Sequence, residues 1–143
     1  MDSITICRNK AQLLTFLREI DHSLPVPLSA RVDLDAYATG RLNNGLIFAI
    51  NDGEKIAAAA LFYYHFRTEN AAYLDLLATA PGYYGRGYAG QLLDAMHRQA
   101  KTDGMTEIHL HTNDVNHAAI SLYTKRGYEE IARDPKVHMR KIL

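Results

Sequence analysis

The sequence predicts an α/β protein of the α+β type, a mixed and mostly antiparallel sheet flanked by helices. Three observations carry that prediction. Apolar runs at 46–50, 55–65 and 71–79 are joined by short turn sequences, the pattern of consecutive hairpin-linked strands. Apolar residues recur at helical spacing at Leu13, Phe16, Leu17 and Ile20, and again at Ala89, Leu92, Leu93, Met96 and Ala100. The 143 residues, 48% hydrophobic and 22% charged, suit one globular domain over 1–143 with a sizeable core, and no linker divides them.

Each element has a local reason. Residues 3–7 alternate and are β-branched, a short first strand. Asn9 with Gln12 three residues on reads as a capping box opening a helix. Pro25 and Pro27 break the chain, and Asp33 caps a second helix carrying Leu34, Tyr37 and Ala38, which ends near Asn44-Gly45. Asn51-Asp52-Gly53-Glu54 turns the first hairpin, and Arg67-Thr68-Glu69-Asn70 the next. A glycine-rich connection at 81–87 leads into the helix that Asp103-Gly104 ends. A strand at 106–112, a helix at 116–126 stopped by Gly127, and a closing strand pair at 128–132 and 137–142 complete the order β-α-α-β-β-β-α-β-α-β-β.

Composition removes several function classes. Sixteen Lys and Arg balance sixteen Asp and Glu, so there is no electrostatic footprint for nucleic acid. No apolar run approaches the ~18 residues that span a bilayer, and the N-terminal stretch lacks the basic and apolar regions of a signal peptide. One cysteine, Cys7, cannot form an internal disulfide, which suits a reducing compartment and reads as a packed thiol. A cytoplasmic protein with no membrane partner is the expectation.

Chemistry concentrates at Pro81-Gly82-Tyr83-Tyr84-Gly85-Arg86-Gly87-Tyr88-Ala89, between a strand and a helix. Gly85 and Gly87 permit backbone conformations that turn amide N–H groups inward, at a helix N-terminus whose free donors and dipole favour an anion. Arg86 adds a positive charge. The physical reading is a pyrophosphate cradle; the alternative is a glycine-rich turn without a ligand. No Lys-Ser/Thr pair follows the glycines, so a Walker loop is excluded. Hairpin-linked neighbours argue against a dinucleotide-binding fold.

This segment resembles the acetyl-CoA pyrophosphate loop of the GNAT superfamily of N-acetyltransferases, whose pattern Gln/Arg-x-x-Gly-x-Gly/Ala falls on Tyr84, Gly85, Arg86, Gly87, Tyr88 and Ala89. Gly87 and Ala89 match; Tyr84 departs from the usual Gln or Arg. A second stretch, Asn116-His117-Ala118-Ala119-Ile120-Ser121-Leu122-Tyr123-Thr124-Lys125-Arg126-Gly127-Tyr128, is similar to the family's Asn-x-x-Ala-x-x-Leu-Tyr-x-Lys-x-Gly-Phe/Tyr. The resemblance runs from about Leu46 to Leu143, and two ordered motifs are far more specific than one.

The resemblance implies direct transfer of an acetyl group from acetyl-CoA to a primary amine in a ternary complex, without a metal. It gives Tyr123 the role of general acid at the departing sulfur, a role its hydroxyl suits chemically; the competing reading is a packed core tyrosine. Asn116 would cap its helix and lie near the pantetheine arm. Leu77, Ala78 and Thr79 would hold that arm through backbone groups, as an added strand does. Asp75 stands near the acidic residue of relatives and is the candidate base, with His111 or water as the alternatives; its competing reading is a solvated or ion-paired strand residue. His109 and His111 share one strand face, with His65 and His117 expected nearby, and two histidines at i,i+2 do not make a metal site. Tyr63, Tyr64 and Phe66 divide between core and acceptor wall. A non-catalytic CoA-binding or regulatory module on the same fold is the alternative function. The acceptor, a small molecule or a protein amine, is not legible, and neither is homodimerisation, which is common among relatives.

Overall fold

The computed structural model describes residues 3–65, 70–133 and 135–143; Phe66, the 67–69 part of the expected second turn and the side chain of His65 lie outside them. The elements are β1 (Ile4–Ile6), α1 (Lys10–Asp21), a 3-10 turn (Leu28–Ala30), α2 (Leu34–Asn44), β2 (Leu46–Asp52), β3 (Lys55–His65), β4 (Ala71–Thr79), α3 (Tyr88–Thr102), β5 (Glu107–Thr112), α4 (His117–Lys125), β6 (Glu129–Arg133) and β7 (Val137–Ile142). This is the order expected from the sequence. The strands form one seven-stranded sheet in the order β1-β2-β3-β4-β5-β7-β6. Only β4 and β5 run parallel, as a crossover through α3 requires; the other neighbours are antiparallel.

Alternation along the strands builds two cores. Phe48, Ile50, Phe62, Leu74, Ile108 and Leu110 point to the face covered by Leu92, Leu93 and Met96 of α3 and by Tyr123 of α4. Ile47, Ala49, Ala59 and Leu61 point the other way, against Leu13, Phe16, Leu17 and Ile20 of α1 and Ala38 of α2. Each fully buried Leu, Ile or Phe contributes roughly 1.5–3 kcal/mol. Beyond β4 the α1–α2 face carries His109, His111 and His138 instead of apolar residues.

The expected caps form, with one difference. The Asn9 side chain accepts from the Gln12 backbone N–H at 3.0 Å, but the return bond of a capping box does not form. The Gln12 amide donates instead to the Glu54 carbonyl at 2.6 Å and ties α1 to the β2–β3 turn. The side chain is turned toward a long-range acceptor and away from the Asn9 N–H that a capping box would offer it. Asp33 caps α2, accepting from the Ala36 N–H at 2.9 Å. Among the described residues no helix is long and apolar enough to cross a membrane.

One buried histidine makes stability depend on pH. His97 of α3 lies with Nε2 2.8 Å from the Tyr128 hydroxyl. Burial first, then the Lys141 and Arg126 charges, push its imidazole down from 6.5 to about 4, with Asp94 opposing. Between those values the unfolded chain binds a proton that the native state refuses, so stability is lost as pH falls through that window. The urea midpoint should drop between pH 6.5 and about 4, and less steeply in His97→Gln. Parallel slopes for the two proteins would remove His97 as the cause.

Candidate active site

The β4–β5 ladder is short. It pairs Ala71 with Glu107 through Leu74 with Leu110 and then stops, while β4 stays bonded to β3 as far as Thr79 opposite Ala58. The outer edge of β4 from Asp75 onward is therefore unpaired by β5, and the two strands part. The register adds a second feature. Leu61 opposes Leu76 and Phe62 opposes Leu74, so Asp75 is an extra residue, a β-bulge in the middle of the strand. A bulge bends its strand and re-aims its side chain.

A cleft of about 220 Å³ fills the gap. Its walls are Asp75 and Leu77 of β4, His111 and Thr112 of β5, and Asn116 and Tyr123 of α4. Leu24, Pro25, Val26 and Arg31 close it from the α1–α2 connection, and Lys136 from the β6–β7 turn. Leu77, Asn116, Tyr123 and Asp75, singled out separately in the sequence, thus meet in one place. Ala78 and Thr79 continue the same strand toward the glycine loop and do not line the cleft.

Tyr123 serves both of its competing readings. Its ring is in the core, 7% exposed, 5.5 Å from the ring of Tyr128. Burial pushes its hydroxyl up to about 12. No buried side-chain polar atom among the described residues lacks a partner. The Tyr123 hydroxyl, which has no hydrogen bond to them, is therefore not sealed off, and Tyr123 lines the cleft. Asn116 caps α4, accepting from the Ala119 N–H at 3.2 Å, and lines the cleft beside it.

Asp75 is held rather than solvated. Arg41 of α2 donates from Nε to its Oδ2 at 2.7 Å, and the Tyr37 hydroxyl donates to the same oxygen. The Arg41 guanidinium lies over the rings of Tyr37 and Tyr63, at 5.1 and 4.9 Å. Burial and the neighbouring carboxylate drive the Tyr37 hydroxyl well above the usual phenol range.

Histidines occupy the open sheet face beside the cleft. His111 Nδ1 lies 2.6 Å from the Tyr73 hydroxyl, and its ring stacks on His138 at 4.4 Å. His138 Nε2 meets His109 Nδ1 at 2.8 Å, and His109 Nε2 lies 3.0 Å from Glu107. Burial, then the Lys136 charge, lowers the His111 imidazole. Among the described residues no group of three or more His, Cys, Asp or Glu is arranged to hold a metal ion.

Past the C-terminal end of β4, Gly85 and Gly87 have φ of +77° and +76°, the left-handed region that favours glycine. A Cβ on either would meet no atom within 4 Å, so the backbone faces open space. Gly87 is the N-cap of α3 and supplies no side-chain cap. The first-turn amides of Tyr88, Ala89 and Gly90 therefore keep free donors toward that space. These features fit a pyrophosphate held by backbone N–H groups. Arg86 sits over the Tyr83 ring at 5.1 Å, and the Tyr83 hydroxyl donates to Asp52 at 2.6 Å. Tyr84, at the departing motif position, is 60% exposed, whereas the Tyr88 side chain is in the core and only its amide faces the loop.

A sequence profile of the Acetyltransferase (GNAT) family matches residues 13–128. The chain belongs to that family. Its fold is similar to the ribosomal-protein-S18-alanine N-acetyltransferase of Escherichia coli, with a TM-score of 0.81 at 21% identity over 99% of this chain and 94% of that one. It is similar to the PaiA N-acetyltransferase of Thermoplasma acidophilum in complex with coenzyme A (TM-score 0.75, 18% identity, 99% of both chains). A GNAT-family acetyltransferase of Staphylococcus aureus Mu50 gives a TM-score of 0.77 at 22% identity over 99% of both chains. At these identities the likeness is one of fold. No curated protein sequence matches the chain.

Arg31, Lys136 and Arg41 were not singled out in the sequence, and Tyr37 was read only as an apolar residue of its helix; Arg31 and Lys136 line the cleft from a loop and a turn, while Tyr37 and Arg41 reach it through Asp75.

Proposed function

We propose that the protein is an acetyl-CoA-dependent N-acetyltransferase that acetylates a primary amine by direct attack. The observation that carries this is the cleft itself, lined by the edge of β4 that β5 leaves unpaired and by Tyr123, on the strand that leads into an uncapped glycine loop. The β4 edge at Leu77 offers main-chain groups to the pantetheine arm, and the loop at 84–89 offers amides to the pyrophosphate. The amine nitrogen bonds to the acetyl carbon as the carbon–sulfur bond breaks. One proton leaves the nitrogen, and Tyr123 supplies a hydrogen bond or a proton to the sulfur. A CoA-binding module without catalysis needs no hydroxyl at that point, so the open Tyr123 Oη favours the enzyme. The test is free-thiol release from acetyl-CoA across a panel of primary amines; no release with any of them, although acetyl-CoA binds, supports the module instead.

Asp75 is the proposed proton acceptor, since the bulge brings it to the cleft. Asp75→Asn should lower the rate by at least about tenfold below pH 8, with partial recovery as rising pH leaves more amine neutral. Binding of Arg41 and Tyr37 to its Oδ2 favours a second reading, in which His111 is the base. His111 would then keep its proton on Nδ1, donating to the Tyr73 oxygen, and accept at Nε2. In that case His111→Asn changes the pH–rate profile and Asp75→Asn does not. Unchanged profiles in both variants would leave proton removal to water.

A further inference from the structure

We infer that the acceptor is a small amine that also carries an anionic group, a carboxylate or a phosphate, held between Arg31 and Lys136. The inference rests on the acetyl-transfer reading and names the substrate class of that same cleft. Three observations support it.

Arg31 and Lys136 line the cleft from different directions, one from the α1–α2 connection and one from the β6–β7 turn. Among the described residues neither has an ion pair. Lys136 carries its charge near His111, which also lines the cleft, and Arg31 near the Tyr73 hydroxyl beside it.

The balance of charge in the lining has the right sign. Asp75 is the one carboxylate among the described lining residues, and Arg41 neutralises it at 2.7 Å. A polyamine would need a free carboxylate for its second ammonium and would meet two cations instead. An anionic tail meets two donors of charge-assisted hydrogen bonds, the stronger kind.

Size points the same way. The cleft's volume of about 220 Å³ must also admit the acetyl end of the donor, which leaves room for a compact acceptor.

The test uses matched probes with acetyl-CoA: β-alanine and 4-aminobutyrate against their carboxamides, phosphoethanolamine against ethanolamine, and putrescine. The acids should exceed their neutral partners in kcat/KM by roughly 10- to 100-fold, the range of one or two hydrogen bonds to a charged group, mainly through KM. Phosphoethanolamine ahead of β-alanine assigns the phosphate; the reverse assigns the carboxylate. Arg31→Gln and Lys136→Gln should each reduce the acid-over-amide ratio about tenfold, and Arg31→Lys should restore part of it. Equal rates for acid and amide, or putrescine as the best acceptor, overturn the inference and leave the transferase intact. A binding measurement separates the two claims. With CoA present, N-acetyl-β-alanine should raise the melting temperature more than N-acetyl-β-alaninamide, and Arg31→Gln should remove the difference. That difference without turnover of any probe overturns the transferase reading and keeps the anion site. No difference and no turnover overturns both.

Discussion

Replacing Tyr123 with phenylalanine should lower kcat by roughly 10²–10⁴ and leave fold and donor affinity in place. The ring is the part of Tyr123 that packs, against Tyr128 and the α3 core, and phenylalanine keeps it. The hydroxyl is the part that is not sealed off, and Tyr123 lines the cleft. A thiol ordinarily titrates near about 8.5, so a departing thiolate needs help that an amine acceptor does not supply. Burial holds the Tyr123 hydroxyl at about 12, which keeps it protonated across any working pH. Against a thiolate that much less basic, complete transfer is uphill, and the hydroxyl acts chiefly as a strong hydrogen-bond donor to the charge growing on sulfur. The loss corresponds to about 3–5 kcal/mol at 1.36 kcal/mol per decade. KM for acetyl-CoA should hardly move, because the interaction strengthens only as the bond breaks. Since Tyr123 does not titrate in the working range, the phenylalanine variant should keep the wild-type pH–rate shape at a lower level. Steady-state thiol release with an accepted amine measures this. Full activity in the variant would make Tyr123 a core residue alone.

What was legible in the sequence was what is local. The α1 and α3 stripes, the Asn9, Asp33 and Asn116 caps and the tight β2–β3 turn are decided within a few residues of themselves, and all of them form. The glycine loop was legible for the same reason, because a positive φ at Gly87 is a property of one residue. Asp75 was found, but not its surroundings. Its place in a bulge depends on how Leu61 and Phe62 register against β4, and its partners Tyr37 and Arg41 come from a helix more than thirty positions earlier. Sequence spacing carries no trace of either. Gln12 failed as a capping-box partner because the Glu54 carbonyl, distant in the chain, is close in the fold. Arg31 and Lys136 were invisible for a third reason: exposed cations in loops are ordinary, and only the parting of β4 from β5 turns these two toward a common space.

That parting also explains how the cleft and the glycine loop would serve one ligand. β4 is anchored on one side along its whole length by β3 and freed on the other after Leu74. A ligand lying along the free edge would end at the N-terminus of α3, which the same strand feeds through Ala80 and the loop. The Ala80 N–H donates to Ala57 on β3 at 2.8 Å, so the loop's entry is fixed to the sheet before the glycines begin. The loop is thus tied to the sheet at one end and runs into α3 at the other.

Gly87→Val should therefore abolish the stabilisation that acetyl-CoA confers. At φ +76° and ψ 16° Gly87 has a conformation that a β-branched residue resists, so the variant starts with strain of about 1–3 kcal/mol. Strain alone would lower the melting temperature without touching the ligand. The second effect is specific: the new side chain enters the open space at the N-terminus of α3, where the proposed pyrophosphate would lie. The wild-type protein, binding donor only when folded, gains about 2.7 kcal/mol at a hundred times Kd. The valine variant should show a lower starting melting temperature and no rise with acetyl-CoA. Gly53→Val separates the two effects, since Gly53 has φ +63° with nothing within 4 Å of its Cβ and lies in the β2–β3 turn. It should begin at a similarly lowered temperature and still respond in full. A Gly87→Val protein that folds and responds like the wild type would place the pyrophosphate elsewhere, because no donor could reach the first-turn amides of α3 past a valine.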